Sequence, residues 1–325
     1  MAKFKATIDE MEGTDDFRLE LYQNKKGQTF TIDRYEGNSE RVIIPEAIGG
    51  IPVTAIGNFA FSHNNSTKNI ILPDSILFLK FCAFQSCEQL STVTLPKGLV
   101  DIEYDVFSEC SNLAEILVDE QNPIFASDDG VLFDKNRTTL IRYPEAKRGE
   151  YRIPETVIEI EENAFDGCRE LTRISFPQGL RWGSLSFFGC NQLTDIVVDG
   201  ENSMFNSIDG VLFDKDDRLL LKYPHGKDNS DYCVPEKTDS IICNAFLKCK
   251  NLVNIIFPKG LRFILNGAFT HCEGLTEITL PESLQYIGKQ AFKGCSNLKS
   301  ITLSRKTKYG YQAFDGFSGK FIYRD

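Results

Sequence analysis

Histidine, methionine and tryptophan are nearly missing from this chain: three, three and one among 325 residues. So little histidine leaves scant material for general-base or metal chemistry, which use it more than any other side chain. Positive charge is short as well, with 36 Lys and Arg against 46 Asp and Glu. The resulting net charge of −10 argues against a phosphate backbone or an anionic membrane as the principal partner. Apolar runs such as Asn254–Phe257 fall far short of the roughly 20 residues that a spanning helix needs, so neither nucleic acid nor membrane insertion is expected. The opening MAKFKATIDE lacks the apolar stretch of a secretory signal, and none is expected in the chain as it stands. GxSxG, HExxH, P-loop and GxGxxG patterns are absent too, and with them the usual enzyme signatures. The chain reads as non-enzymatic and without a cofactor.

What is present is a repeat. Phe, usually preceded by Ala, recurs at 61, 84, 107, 165, 187, 246, 269, 292 and 314. The intervals are 22 or 23 residues except for two of 58 and 59. Each unit follows the pattern of Leu275–Leu298, LTEITLPESLQYIGKQAFKGCSNL. This period and pattern are those of a leucine-rich repeat. The segment IGKQAFKGC at Ile287–Cys295, with close versions at Ile160–Cys168 and Ile264–Cys272, resembles the BspA-like class of leucine-rich repeat proteins. The likeness covers about residues 38–317 and includes the entry segment VIIPEAIGGIPVTAIGNFAF.

The residues give the same architecture directly. In LTEITLP, Leu275, Ile278 and Leu280 are apolar while Glu277 and Thr279 alternate with them, which reads as a short strand with one buried face. From Ile287 the apolar set Ile287, Ala291, Phe292 and Cys295 has offsets that fit one face of a helix. The expected fold class is therefore α/β: a leucine-rich repeat solenoid, a right-handed horseshoe with a parallel concave sheet and short convex helices.

The two long intervals hold a second repeated object, NPIFASDDGVLFDKNRTTLIRY at Asn122–Tyr143 and NSMFNSIDGVLFDKDDRLLLKY at Asn202–Tyr223. Each reads as a β-hairpin insertion with an Asp-Gly turn, projecting from the stack. One domain over 1–325 is expected: a β cap at 1–37 with a hairpin around Lys26-Gly27, repeats at 38–317 with insertions near 119–150 and 199–231, and a C-terminal end at 318–325.

Seven cysteines share one repeat position: Cys87, Cys110, Cys168, Cys190, Cys249, Cys272 and Cys295. They are expected to form a buried ladder of reduced thiols, and with no CxxC pair a zinc site is not expected. Cys82, Cys233 and Cys243 break the pattern and are expected on the solvent side as the reactive thiols. His63, His225 and His271 sit in different units and read as surface-loop residues, and acidic pairs such as Asp128-Asp129, Asp216-Asp217 and Glu161-Glu162 read as turns and solvated faces rather than calcium ligands.

The outward positions of the strands should form two lanes. The polar one is Asn69, Thr92, Glu115, Arg173, Asp195, Asn254, Glu277 and Ser300; beside it run Ile71, Thr94, Leu117, Ser175, Val197, Ile256, Thr279 and Thr302. Exposed aliphatics in the second lane suit recognition of a protein or a glycan, although β-branched residues also favour strands for their own sake. The family resemblance implies a cell-surface or secreted protein that attaches to a host or neighbouring cell. An intracellular scaffold is the alternative, since reduced thiols are compatible with a cytosol.

Overall fold

The computed structural model describes residues 3–4, 16–24, 27–183 and 186–324. The chain divides into two compact units, one of residues 1–147, 156–169 and 186–189, the other of 148–155, 170–185 and 190–325. Each is a stack of coils. A coil gives one strand to a lane sheet and, after a Pro-led turn, a two-residue strand to a second sheet. Pro73, Pro96 and Pro281 sit at the end of lane strands, where a missing amide costs no ladder bond, and their carbonyls accept from the amides of Ile76, Leu99 and Leu284.

In the first unit the lane sheet contains Arg41–Ile43, Asn69–Ile71, Thr92–Leu95 and Glu115–Val118, all parallel. In the second unit the lane strands fall into separate sets: Gly149–Arg152 with Leu171–Phe176 and Asp195–Val198; Asp231–Cys233 with Asn254–Ile256; Glu277–Thr279 with Ser300–Ser304 and Lys320–Arg324. The expected single parallel sheet is thus divided. The cause at two places is the Asp-Gly turn: the amides of Ile116 and Ile196 donate to Gly130 and Gly210 instead of to a following lane strand. Both glycines have positive φ, 71° and 74°, and a Cβ at Gly210 would stand 2.4 Å from the Asp195 carboxylate.

Among the described residues no segment is helical, which corrects the expected convex helices. In Ile287–Cys295 the amides of Gln290, Phe292 and Gly294 donate to carbonyls of the next coil, at Tyr311, Ala313 and Asp315. Between them, Ala291, Lys293 and Cys295 donate three residues back within the same coil. A helix would spend every amide internally; here every second one is spent between coils. Two left-handed residues per coil, such as Gln290 (φ 55°) and Gly294 (φ 71°), produce the staircase. The side-chain offsets that fit a helix face fit this staircase equally, and Ile287, Ala291, Phe292 and Cys295 are all buried.

The core is a column of rings. In the first unit Tyr35, Phe61, Phe84 and Phe107 stack at 4.9–5.7 Å, and a second column runs Tyr143, Phe165 and Phe187. The second unit has Tyr223, Phe246, Phe269, Phe292 and Phe314 at 4.7–5.7 Å, with Phe269 and Phe292 inclined by 1°. Each buried ring contributes about 1.5–3 kcal/mol from removed surface, and ring pairs at this spacing add about 0.5–1.5 kcal/mol.

Each column opens on a tyrosine, and the three tyrosines are placed alike. The amides of Tyr35, Tyr143 and Tyr223 donate to the alanines before the first Phe of the column, Ala60, Ala164 and Ala245, at 2.8–2.9 Å. Tyr35 ends the antiparallel hairpin Phe17–Asn24 and Gly27–Tyr35; the turn residue Lys26 lies outside the described residues. Tyr143 and Tyr223 follow the last strands of two meanders: Phe125–Asp128, Val131–Asp134, Thr139–Arg142; and Phe205–Ile208, Val211–Asp214, Leu219–Lys222. The sequence predicts insertions that project from the stack, and the structure corrects this: they are built into it. Val131, Leu132 and Phe133 are fully buried, as are Val211, Leu212 and Phe213, and the last strands pair in parallel with Glu159–Ile160 and Ser240–Ile241 of the second sheets. They are internal caps, built like the N-terminal one.

Candidate binding face and its thiols

Register aligns the lanes within each sheet. Asn69 pairs with Thr92 and Thr92 with Glu115, while Ile71 pairs with Thr94 and Thr94 with Leu117. Arg173 pairs with Asp195 and Ser175 with Val197. Glu277 pairs with Ser300, and Thr279 with Thr302. Asn254 and Ile256 lie together in their own pair of strands. Exposure follows the alternation: Ile71, Leu117 and Ile256 are 36%, 39% and 65% exposed, and Val197 is half-buried. Thr302 departs from expectation and is buried, flanked in register by Thr279 on one side and Ile322 on the other.

Residues outside the expected set extend these lanes. Arg41 and Ile43, the latter 60% exposed, precede Asn69 and Ile71 in register. Glu150 and Arg152 stand beside Arg173 and Ser175, Asp231 and Cys233 beside Asn254 and Ile256, and Lys320 and Ile322 beside Ser300 and Thr302. Their signal was the same apolar-polar alternation in short segments next to the caps, where the repeat spacing is interrupted. Charge on the lanes is locally organised. Asn254 Nδ2 donates to Asp231 Oδ1 at 2.8 Å, and Ser230 and Asn254 together hold the Asp231 carboxyl below its ordinary range. At the internal caps a lysine clamps the edge: Lys147 Nζ donates to Asp129 O at 2.6 Å, and Lys227 Nζ donates to Thr194 O at 3.2 Å.

The seven ladder cysteines are buried as expected. The thiols of Cys87, Cys110, Cys272 and Cys295 donate to the carbonyls of Phe61, Phe84, Phe246 and Phe269 in the preceding coil at 2.9–3.1 Å. Cys168 and Cys249 reach the carbonyls of the column-opening Tyr143 and Tyr223 at 3.7 and 3.9 Å. Burial pushes Cys87 and Cys295 up to about 12, so thiolate chemistry is suppressed there. Cys233 and Cys243 are exposed. Cys82 is not: it is 2% exposed, and burial, then Asp105 and Glu109, raise its thiol. At this left-handed position (φ 54°) the longer Asp105 and Asn163 stay half-exposed and bond each other at 3.3 Å; a cysteine has one atom beyond Cβ and stays covered.

His63 is exposed and His271 half-buried at corners. His225 is the exception to the surface reading. It is 9% exposed, behind Tyr223, and its Nε2 has no partner among the described residues. Burial, then Lys222 and Lys248, lower its pKa to about 3. No grouping of His, Cys, Asp or Glu able to hold a metal occurs among the described residues, nor any helix long and apolar enough to cross a membrane.

Several solved structures share this fold. A leucine-rich cell surface protein from Faecalibacterium prausnitzii A2-165 is 23% identical over 97% of this chain and 100% of its own, with a TM-score of 0.55. A leucine-rich repeat protein from Eubacterium ventriosum is 16% identical over 94% and 82%, with a TM-score of 0.60. The pneumococcal vaccine antigen PcpA is 20% identical over 100% and 89%, with a TM-score of 0.56. No curated protein matches the chain in sequence. The model of the BspA type leucine rich repeat region matches six copies over residues 35–129, 146–219 and 226–323. With that match covering most of its length, the chain belongs to the BspA type leucine-rich repeat family.

Proposed function

We propose that this chain is a non-enzymatic protein-binding module that attaches a cell surface to a protein or glycan of a host or neighbouring cell through the lane strands of its units. The observation that carries the reading is the exposed aliphatic positions of the lane strands, Ile43, Ile71 and Leu117 in register in the first unit and Ile256 in the second, each beside polar lane residues. Aliphatic area of this kind, rimmed by polar groups, marks interaction surfaces, and repeat families use their sheets in that way. Surface placement draws support from the relatives described as a cell surface protein and a vaccine antigen. The test is capture of partners from host-matrix and bacterial-surface extracts by the native chain and by a folded variant carrying Leu117→Lys, Val197→Lys and Ile256→Lys. A partner held by the native chain and lost by the variant supports the reading; equal retention moves binding off the lanes.

The exposed thiols of Cys233 and Cys243 favour a second reading, an intracellular scaffold, because free surface thiols persist in reducing compartments. Fractionation of cells expressing the native gene separates the two: a cytosolic pool alone supports the scaffold.

A further inference from the structure

The first internal cap leaves a break in the second sheet of its unit. In an uninterrupted coil the carbonyls of Leu77 and Leu79 accept from the next coil, at Asp101 and Glu103, and the amides of Cys82, Phe84 and Ser86 donate to Tyr104, Val106 and Ser108. One coil later this traffic stops. Asp101–Ile102 is the last strand of its sheet, and the carbonyls of Val100 and Ile102 and the amides of Asp105 and Phe107 have no partner among the described residues. Two side chains of the cap patch part of the break. Arg142 donates to Asn163 O and Phe107 O, and to Glu145 at 2.5 Å, while the Glu145 carboxylate takes the amide of Glu109.

What is left is a cavity of about 430 Å³, within the range of ligand sites. Its lining residues include Val106, Ile124 and Ile141, and the acidic Asp101, Glu161 and Glu162. Asp105 and Glu103 also line it, but the latter is engaged by Lys80 at 2.8 Å. Arg142, the cation of the wall, is 8% exposed and already paired with Glu145, yet its Nε has no partner. The lining thus offers an open strand edge, aliphatic surface and excess negative charge.

We infer that this break is a docking site for an extended peptide segment of a partner protein that brings a lysine or arginine side chain. The peptide's amides meet the carbonyls of Val100 and Ile102, and its carbonyls meet the amides of Asp105 and Phe107, as an added strand does. Its cationic side chain lies along Val106 and Ile124 with the head at Asp101, Glu161 and Glu162. This site is separate from the lanes and does not rest on the reading given for them.

The experiment screens the full chain against a library of acetylated and amidated hexapeptides, each with one Lys or Arg among Ala, Val, Ile, Thr and Ser. Binders are expected to weaken at least about tenfold when their basic residue becomes norleucine, or when the protein carries Asp101→Asn with Glu162→Gln, both exposed positions that leave folding intact. The Asp105 and Phe107 amides are expected to exchange fast in the free chain and to slow at saturating peptide, and Glu201→Gln, at an exposed position outside the cavity, is expected to leave peptide affinity unchanged. The inference is overturned if no peptide binds in a carboxylate-dependent way, if bound peptide leaves both amides exchanging, or if spermidine competes fully without protecting them, which would make the site a small-cation pocket.

Discussion

At the residue scale, chemistry follows from which way a side chain faces, on a lane strand or at a corner. Cys233 and Cys243 are exposed, whereas Cys82 and the ladder are buried. Brief iodoacetamide treatment at pH 8 followed by peptide mass spectrometry should therefore modify the first two and leave the rest until denaturant is added; early labelling of Cys82 would contradict its placement. His225 supplies a pH dependence. Burial and its neighbouring lysines hold the imidazole at about 3, against about 6.5 in an unfolded chain. Between those values the unfolded chain binds the proton and the folded chain does not. The His225 contribution to stability is full above about pH 6.5 and is lost as pH falls, by up to about 1.4 kcal/mol per unit. Urea midpoints at pH 7 and pH 5 should show this slope in the native chain and a flatter one in His225→Gln. The ladder was legible because seven cysteines keep one distance from the core Phe. His225 and Cys82 were not, since their burial is decided by neighbours in adjoining coils.

At the element scale one buried asparagine anchors the start of each internal cap. Asn122 is fully buried; its amide donates to the carbonyls of Pro96 and Leu99, and its oxygen accepts from the amides of Ile124 and Phe125, all at 2.8–2.9 Å. Asn202 repeats the pattern with Pro177, Leu180, Met204 and Phe205. Asn122→Ala leaves the amides of Ile124 and Phe125 and the carbonyl of Leu99 without this partner and should cost about 3 kcal/mol, read as a lowered denaturation midpoint, while the exposed Asn251→Ala should be near neutral. The strands of the caps were readable from Val-Leu-Phe and its partner run. Their incorporation into the second sheet was not read, although the endings Arg34-Tyr35, Arg142-Tyr143 and Lys222-Tyr223 already matched the N-terminal cap. The corner segments misled for a different reason: offsets of 0, 4, 5 and 8 describe where side chains point, and they say nothing about whether amides bond within a coil or to the next one.

At the scale of the whole molecule, each coil depends on its neighbours and little else. Phe292→Ala opens a cavity between Phe269 and Phe314 and should cost about 3–5 kcal/mol. Native-state hydrogen exchange should find the loss in the amides of Phe269 and Phe292, with Phe61 and Phe84 at their original protection; uniform acceleration would instead reveal one cooperative block. The same locality bears on how the chain is made. A ring column can bury itself only against an end that already exists, and Tyr35, Tyr143 and Tyr223 each provide that end before the phenylalanines that follow. During synthesis the later coils therefore meet a finished surface as they leave the ribosome, in order from the N-terminus, and an early group of coils need not wait exposed for the last one to be translated.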